Sequence, residues 1–349
     1  MLEAYSLNMG EVANGGETPE KIINQLLKGT SRSFYLTLKV LPKKVRRQIG
    51  LAYLLARLAD TIADSKVGEN KVLWKLLAEY NHKILHGENV ELPDFTELAI
   101  IQENKAESRL LNEAFIPVNY LEKSEFLTEL DRVKIIQLLD VIISGQILDL
   151  ERFNDASGKK IISLKNEEEL DEYTYLVAGS VGEFWTHMSL DHLFTLEGKN
   201  KEILFEKAIN FGKSLQLINI LRDLPEDIRM GRCYIPLQSL DEIEMKAEDL
   251  LDMNNIGKFR ILYNSYLDRA EIYLDDAIDY IKMLPRRQFR LRISCLLPVL
   301  IGQRTLELLR EENILDFENR IKVLRPEIRK IMRRAIFLSL TGISPKKMR

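Results

Sequence analysis

The sequence is short of the features that mark secreted and membrane-spanning proteins. Its 349 residues include two cysteines, Cys233 and Cys295, which are too few for a disulfide framework. We expect free thiols in the core and a reducing compartment, with a single bridge left open. The first 18 residues lack a cationic start followed by an apolar run, and residues 291–302 are interrupted by Arg292 and Pro298. These absences predict a cytoplasmic protein, soluble or peripheral to a membrane.

The sequence also lacks an excess of one charge and a nucleotide-binding loop. Lysine and arginine number 50 against 53 acidic residues, so the net charge is -3 and a nucleic-acid partner is not expected. Neither a Walker A loop nor a GxGxxG motif is present, so a nicotinamide cofactor would bind without the Rossmann fingerprint. His82 and His86 have no glutamate between them as in His-Glu-x-x-His, which predicts surface residues.

Helical periodicity dominates the chain. It predicts an all-α protein with a flexible arm over residues 1–18, one large helical domain around a central cavity over 19–340, and a tail over 341–349. Thr18 is the expected N-cap of the first helix, with Pro19 in its first turn. The expected helices lie near 19–28, 43–64, 70–86, 107–116, 124–152, 167–194, 201–223, 239–251, 257–283, 287–311 and 317–338.

The most informative stretch runs from Phe211 to Pro236. At about 100° per residue, one helical stripe carries Ala208, Gly212, Gln216, Asn219, Asp223 and Asp227. Two carboxylates four residues apart, with amide oxygens nearby, favour Mg²⁺ shared with substrate phosphates. Pro225 is expected to loosen or end the helix near Arg222 and to place Asp227 on a turn.

A second acidic pair, Asp60 and Asp64, has the same spacing. Tyr53 and Arg57 lie on its stripe, and an unpaired Arg57 in this apolar helix would be costly. A single DxxxD is more often a solvated helix face. Because both stripes pass from apolar or small residues into acid, they favour the wall of a cavity with a charged mouth.

Two further segments carry candidate ligand contacts. Ser31, Arg32, Ser33 and Phe34 offer hydroxyls and a guanidinium for a phosphate near a helix start, or form an ordinary cap. Tyr173, Val177, Ala178 and Val181 belong to a helix entry rich in small residues, where tight helix packing and an apolar slot for a hydrocarbon are both open. Together with Ala208 and Gly212, this slot would fit a flexible hydrocarbon.

With these residues assembled, the chain resembles the squalene/phytoene synthase family over roughly residues 21–334. The resemblance is carried by Ser31-Arg-Ser-Phe34, Tyr53-x3-Arg57-x2-Asp60-Thr-x2-Asp64, Tyr173-x3-Val177-Ala-Gly-x-Val-Gly182 and Gly212-x3-Gln216-x2-Asn219-x2-Arg222-Asp223-x3-Asp227-x4-Arg232-x-Tyr234-x-Pro236. It implies an all-α isoprenoid synthase fold and head-to-head condensation of two farnesyl diphosphates through presqualene diphosphate.

The resemblance also implies roles for residues. Asp60, Asp64, Asp223 and Asp227, with Asn219, would hold Mg²⁺ on the diphosphates, while Arg57, Arg222 and Arg32 take up the charge of the leaving group. Tyr173 would steer the proton lost in the first condensation. The remaining motif residues, Ser31, Ser33, Phe34, Tyr53, Val177, Ala178, Val181, Ala208, Gly212 and Gln216, would line the substrate site.

The final product is the open choice. Asp60-Thr61, Cys295-x2-Pro298 and Arg320-Ile-Lys322-Val resemble squalene synthases, so squalene made with NADPH is the favoured expectation, with Arg320 and Lys322 as cofactor contacts in sterol or hopanoid biosynthesis. The alternatives are a phytoene or dehydrosqualene synthase that needs no NADPH, an enzyme that stops at presqualene diphosphate, a terpene cyclase, and a non-catalytic assembly protein. Substrate chain length and oligomeric state stay open.

The last predicted helix is strongly basic. Arg325, Arg329, Lys330, Arg333 and Arg334 would suit a surface of anionic lipid, through which an oily product would leave, or simply a solvated helix face. Contact with a membrane surface is therefore left open as a partner.

Overall fold

The structure is a computed structural model that describes residues 17–31, 34–65 and 70–341. Within these ranges the chain forms fifteen α-helices and one pair of two-residue strands, which confirms the all-α prediction. Arg32, Ser33 and most of the predicted arm and tail lie outside the described residues. The helix that begins at Pro19 has the predicted Thr18 cap, whose side chain accepts from the Lys21 backbone N–H. Both cysteines are buried free thiols, as expected.

The chain divides into two compact units, residues 1–36 with 47–140 and residues 37–46 with 141–349. The prediction of a single domain over 19–340 around a central cavity stays a prediction. Unit 1 contains α1 (Pro19–Thr30), most of α3 (Lys43–Ala63), α4 (Asn70–His86), α5 (Thr96–Ile101), α6 (Lys105–Asn112) and α7 (Phe115–Lys123). The unit boundaries fall inside α2 (Phe34–Val40), α3 and α8 (Glu129–Arg152).

Unit 2 is organised around one long helix. Its elements are α9 (Glu167–Thr174), a π-helical turn (Tyr175–Gly179), α10 (Ser180–His192), α11 (Lys199–Arg229), α12 (Leu237–Glu242), α13 (Ile256–Met283), α14 (Phe289–Glu311) and α15 (Arg325–Thr341). Leu217, Leu221, Leu224 and Ile228 form the buried stripe of α11, which packs chiefly against α13. The acidic residues of α11 therefore lie on another side of the helix, away from this core.

Two strands in unit 2 connect distant parts of the chain. β1 (Ile162–Ser163) pairs in parallel with β2 (Arg232–Cys233), with Ile162 opposite Arg232. This pairing fixes the segment that follows α11, including Tyr234, beside the segment that precedes α9.

Several helix boundaries differ from those that the periodicity predicts. The 3-10 turns Gly87–Asn89 and Met253–Asn255, the helices α2 and α5 and most of α7 were not expected. The predicted helix 239–251 is divided into α12 and the 3-10 turn Ala247–Leu251. The predicted helix 167–194 is divided by the π-helical turn, and the predicted helix 317–338 begins only at Arg325. Both α2 and α5 have seven residues or fewer, which is too short for periodicity to reveal.

Candidate active site

The first acidic motif lies on α3 of unit 1, a helix that is buried along most of its length. Leu51, Leu54, Leu55, Leu58 and Ala59 are at most 1% exposed. Tyr53, Arg57 and Asp60 are partly accessible, and Asp64 is exposed immediately after the helix ends at Ala63. The accessible stripe of α3 is therefore the polar one that the sequence predicts.

Arg57 joins this stripe to a second helix of unit 1. Its Nη1 donates to Asp60 Oδ2 at 2.6 Å, and its Nη2 donates to Glu107 on α6. Burial by itself lowers the pKa of Arg57, but the carboxylates of Asp60 and Glu107 outweigh it and raise the pKa above its ordinary value. The Nε of Arg57 is buried without a hydrogen-bond partner, and a role for Arg57 at a diphosphate stays a prediction.

The neighbouring segment shows where the predicted hydroxyl and aromatic residues lie. Ser31 is buried and follows α1, where its hydroxyl donates to the Leu27 carbonyl. Phe34 begins α2, and its ring lies 4.7 Å from that of Tyr53, whose hydroxyl donates to the Thr30 carbonyl at 3.3 Å. These contacts place Phe34 and Tyr53 side by side. The substrate role of Ser31, Phe34 and Tyr53 stays a prediction, as does that of Arg32 and Ser33.

The second acidic motif lies on α11 of unit 2, and here the expectation about Pro225 was wrong. The helix does not end near Arg222 but continues through Pro225 to Arg229, so Asp227 is helical. Proline has no N–H to offer the carbonyl four residues earlier, which belongs to Leu221. The buried hydroxyl of Tyr263 on α13 donates to that carbonyl at 3.0 Å. Because the Leu221 carbonyl still accepts a hydrogen bond, the helix continues past Pro225. Asn219, Asp223 and Asp227 therefore share one helical stripe.

Replacing Tyr263 by phenylalanine is expected to destabilise the protein by about 1–2 kcal/mol, because the Leu221 carbonyl is then buried without a donor. The variant Pro225→Ala regains a backbone N–H for that carbonyl, so the same Tyr263→Phe change should cost much less in the Pro225→Ala background. Urea unfolding of the four proteins of this cycle measures the coupling. Equal losses in both backgrounds would contradict the role assigned to the hydroxyl.

Arginine side chains surround Asp223. Arg222 donates from Nε and Nη2 to the two carboxylate oxygens at 2.9 and 2.6 Å. Hydrogen bonding to Asp223 raises the pKa of Arg222 above its usual value, and burial opposes the shift. Arg320 lies 3.5 Å from Asp223 and 3.0 Å from Glu226, and Lys322 is exposed. A cofactor contact by either residue stays a prediction. The charge of Arg320 is thus directed to the acidic motif.

The donor set of α11 fits a hard cation. Asp223 and Asp227 supply carboxylate oxygens, and the exposed Asn219 and half-buried Gln216 supply amide oxygens. Among the residues that the structure describes, no three His, Cys, Asp or Glu side chains form a group that could hold a metal ion. Asp60 and Asp64 belong to unit 1 and Asp223 and Asp227 to unit 2. That the two pairs share Mg²⁺ stays a prediction.

The small residues of the predicted slot are accounted for by close helix packing. A Cβ added at Gly212 would lie 2.0 Å from the Ala178 carbonyl oxygen, and one added at Gly182 would lie 2.0 Å from the Ala208 carbonyl oxygen. The two contacts run in opposite directions along α11, so they hold the α10 segment antiparallel to it. Val177 is half-buried and Val181 is 38% exposed. A substrate role for these residues stays a prediction.

Tyr173 belongs to an aromatic and acidic cluster of unit 2. Its ring stacks on Tyr234 with the centroids 4.9 Å apart, and the Tyr234 hydroxyl donates to both Asp149 oxygens at 2.9 and 3.1 Å. Arg232 lies 3.3 Å from the same carboxylate. Burial is the largest cause that raises the pKa of Tyr234 above its usual value. The nearby Tyr173, Asp149 and Asp227 raise it further. The second acidic motif is therefore electrostatically close to the tyrosine pair.

Asp149 makes the stability of this cluster depend on pH. Burial raises the pKa of Asp149 to about 6, although Arg232 and the Tyr234 hydroxyl act in the opposite direction. The folded state therefore holds a proton that the unfolded state has lost, and stability is lost as pH rises from about 4 to about 6. For Asp149→Asn, which keeps an acceptor for Tyr234, we expect this loss to disappear.

The measurement is the free energy of unfolding of the native chain and Asp149→Asn at pH 4 and pH 7. The difference between the two proteins should change by up to about 3 kcal/mol in favour of the variant at the higher pH. Other carboxylates titrate equally in both proteins and cancel from the difference. Parallel pH profiles would contradict the raised pKa of Asp149.

Sequence reasoning missed the residues that hold the motifs in place. Glu107 is 50 positions from Arg57, Tyr263 is 42 positions from Leu221, and Asp149 is 85 positions from Tyr234. The one available signal was the cost of an unpaired charge on the apolar helix α3, which predicts a partner for Arg57 without identifying Glu107.

Comparison with known proteins gives a family match along most of the chain. The family model described as squalene/phytoene synthase matches residues 27–327. A 15-cis-phytoene synthase of Synechocystis is 29% identical over 77% of this chain and 71% of that protein. A bifunctional lycopene cyclase/phytoene synthase of Podospora anserina is 28% identical over 64% of this chain. The chain spans only 36% of the length of that bifunctional protein.

Solved structures share the fold. The structure of TcSQS with a ligand superposes with a TM-score of 0.74 at 18% identity, covering 93% of this chain and 89% of that one. A dehydrosqualene synthase in complex with a ligand gives a TM-score of 0.64 at 20% identity, covering 93% and 98% of the two chains. At such identities the likeness shows the fold alone.

Proposed function

Because the chain belongs to the squalene/phytoene synthase family, we propose that it joins two identical allylic prenyl diphosphates head to head and completes the reaction by losing a proton. The observation that carries this proposal is the 29% identity with a phytoene synthase over 71% of that protein. Phytoene from two geranylgeranyl diphosphates is therefore the proposed product, in place of the squalene and NADPH that the motifs first favoured.

The position of Thr61 supports this change of product. A threonine beside Asp60 is one of the three motif features that resemble squalene synthases, whereas carotenoid enzymes usually carry an acidic residue at this position. Thr61 is 1% exposed, and its hydroxyl donates to the Arg57 carbonyl at 2.8 Å. Because the side chain faces the core and its own helix, this position does not reach the accessible stripe of α3, and it discriminates poorly between the products.

Arg320 belongs to the charge network of the second acidic motif. Its guanidinium is paired with Asp223 and Glu226, next to the atoms proposed to handle the substrate diphosphate. We assign Arg320 to the charge balance of this motif, and the proposed loss of a proton requires no cofactor contact from Arg320 or Lys322.

The proposed reaction has two steps. In the first, one substrate loses diphosphate, its allylic cation is attacked by the double bond of the second substrate, and a proton leaves as the cyclopropyl intermediate closes. In the second, the intermediate loses the other diphosphate, rearranges, and gives up a second proton to form the central double bond of the hydrocarbon. A squalene synthase would instead add hydride at this point.

The residues of the site divide this work. We assign Asp60, Asp64, Asp223 and Asp227 to Mg²⁺, which when bound neutralises the diphosphate and makes it a better leaving group. The guanidinium groups of Arg57 and Arg222 hold the departing diphosphate. Tyr173, stacked on Tyr234 near Asp227, is positioned to accept or direct the departing proton.

The test is incubation of the purified chain with Mg²⁺ and either farnesyl or geranylgeranyl diphosphate, with and without NADPH, followed by mass spectrometry of the hydrocarbon extract. Phytoene formed equally with and without NADPH is expected. Dehydrosqualene would keep the proton-loss chemistry but correct the chain length. Squalene that appears only with NADPH would contradict phytoene as the product. A cyclopropyl diphosphate that accumulates would mean that the reaction stops after the first step. No turnover of either substrate would favour an assembly protein.

A further inference from the structure

We infer that the outer face of α15, together with the turn before α14, docks on an anionic phospholipid bilayer. This docking face consists of four apolar side chains, Phe289, Ile336, Phe337 and Leu340, and the basic residues around them. The docking face is defined by exposure, charge and packing alone and does not rest on the proposed reaction.

The apolar part of the face is exposed without a partner among the described residues. Phe289 is 46% exposed, Phe337 is 51% exposed and Leu340 is 70% exposed. Ser339 donates to the Phe289 carbonyl at 3.0 Å, which fixes the last turn of α15 against the first residue of α14. Ile336, Phe337 and Leu340 therefore share the accessible side of the last turns of α15, with the exposed Phe289 beside the end of this helix. Exposed apolar surface of this kind often marks an interaction site.

The inner side of α15 explains why this patch points outward. Ala335 and Leu338 are at most 1% exposed, and α15 packs on α14. At about 100° per residue, Phe337 and Leu340 fall on the opposite side of the helix from this buried stripe. One turn earlier the same outer side carries Arg333, and Arg329 and Lys330 precede it; all three are exposed. The outer side is thus basic in its first half and apolar in its last turns.

The charge around the patch has one sign. Residues 328–349 contain seven basic residues and no acidic one, in a chain whose acidic residues outnumber its basic residues. The turn before α14 adds Arg286 and Arg287, and the first turn of α14 adds Arg290, also without an acidic residue over 285–290. Arg290 Nε donates to the Val40 carbonyl at 2.8 Å, which brings exposed Lys39 to the same region. Positive charge has therefore been collected beside exposed apolar surface.

The positive charge of the docking face indicates which kind of surface binds there. A second copy that docked through the same face would place two basic surfaces against each other and would be repelled. Anionic lipid headgroups complement the charge, and the acyl boundary below them takes up the aromatic and aliphatic tips, as for helices that lie in the membrane interface. Among the helices that the structure describes, none has the length and hydropathy of a bilayer span.

The test is sedimentation of the full chain with vesicles of phosphatidylcholine alone or with about one third phosphatidylglycerol, an anionic fraction large enough to attract basic residues near the surface. We expect binding to the anionic vesicles only. The double variant Phe337→Ser with Leu340→Ser should bind at least about tenfold more weakly. The double variant Lys330→Gln with Arg333→Gln should bind about fivefold more weakly for each residue replaced, and its binding should depend less on salt.

The matched control is Ile261→Ser with Ile272→Ser, two exposed isoleucines on α13 that are 79% and 64% exposed. This control should bind vesicles like the native chain. Equal binding to neutral vesicles, no binding at all, or unchanged binding of the Phe337 and Leu340 variant would overturn the proposal. A concentration-dependent dimer that the same variant abolishes would assign the face to a second copy instead.

A second measurement reports insertion directly. The variant Phe337→Trp adds an indole at the docking face, and the native chain with its own two tryptophans is the reference. Anionic vesicles should shift the emission of the added indole to shorter wavelength, because the ring leaves water. An emission that does not change while the protein sediments with the vesicles would overturn the assignment of the apolar tip. Neither measurement depends on turnover, so a failure of the docking face is distinguishable from a failure of the proposed reaction.

Discussion

The exchange of Asp223 for asparagine is expected to lower turnover roughly 100- to 1,000-fold, the range found when one group that stabilises transition-state charge is removed. The side chain keeps its size but loses the negative charge that is proposed to attract Mg²⁺ and that balances Arg222 and Arg320. The Mg²⁺ concentration needed for half-maximal rate should rise as well, because an amide oxygen is a weaker ligand for a hard cation. Asp223 is partly accessible, so stability should change little.

The measurement is the initial rate of hydrocarbon formation over a range of Mg²⁺ concentrations. Glu202→Gln is the matched control, because Glu202 is an exposed acid in the first turn of the same helix, α11. It should keep the native rate. A rate for Asp223→Asn within about twofold of the native chain would remove this carboxylate from the active site and would revive the non-catalytic alternative.

The substitution Gly212→Ala is expected to destabilise unit 2 by about 3 kcal/mol, at the upper end of the range for overpacking. The added methyl group would lie 2.0 Å from the Ala178 carbonyl oxygen, which belongs to the backbone and cannot rotate away as a side chain does. The π-helical segment and α11 must therefore separate. The same reasoning predicts a comparable loss for Gly182→Ala, whose methyl group meets the Ala208 carbonyl.

Gly257→Ala controls for the intrinsic effect of alanine in a helix. A methyl group at Gly257, in the first turn of α13, meets nothing within 4 Å, so this variant should be as stable as the native chain or more stable by up to about 1 kcal/mol. Urea unfolding of the three variants makes the comparison. Similar midpoints for Gly212→Ala and Gly257→Ala would show that the close contact is not formed in solution.

The sequence predicts local order better than long-range support. The all-α class, the stripes on α3 and α11 and the Thr18 cap follow from spacing within a few turns, and the structure places each of them where the pattern indicates. The course of α11 past Pro225 could not be predicted, because the donor that compensates the proline belongs to Tyr263 on another helix. The roles of Glu107 and Asp149 could not be predicted for the same reason, since a contact across 50 or 85 positions leaves no periodic signal in the sequence.

The small residues of α10 and α11 could be explained in two ways from the sequence. Gly182 and Gly212 suit both a ligand chain and a close helix crossing, and the sequence alone could not choose between them. The carbonyl contacts identify the helix crossing as a sufficient reason for both glycines. The product preference shows a similar ambiguity, because Thr61 in the motif faces the core and its own helix rather than the accessible stripe.

The hydroxyl of Tyr263 also sets an order of events during synthesis of the chain. When the ribosome has made α11 but not α13, the Leu221 carbonyl has water but no protein group as a donor, and the turns beyond Pro225 gain little from a helical conformation. They become stable only after α13 has emerged and packed on α11. Asp227 is therefore fixed late, and a chain interrupted before α13 would carry the second acidic motif in its sequence without its geometry.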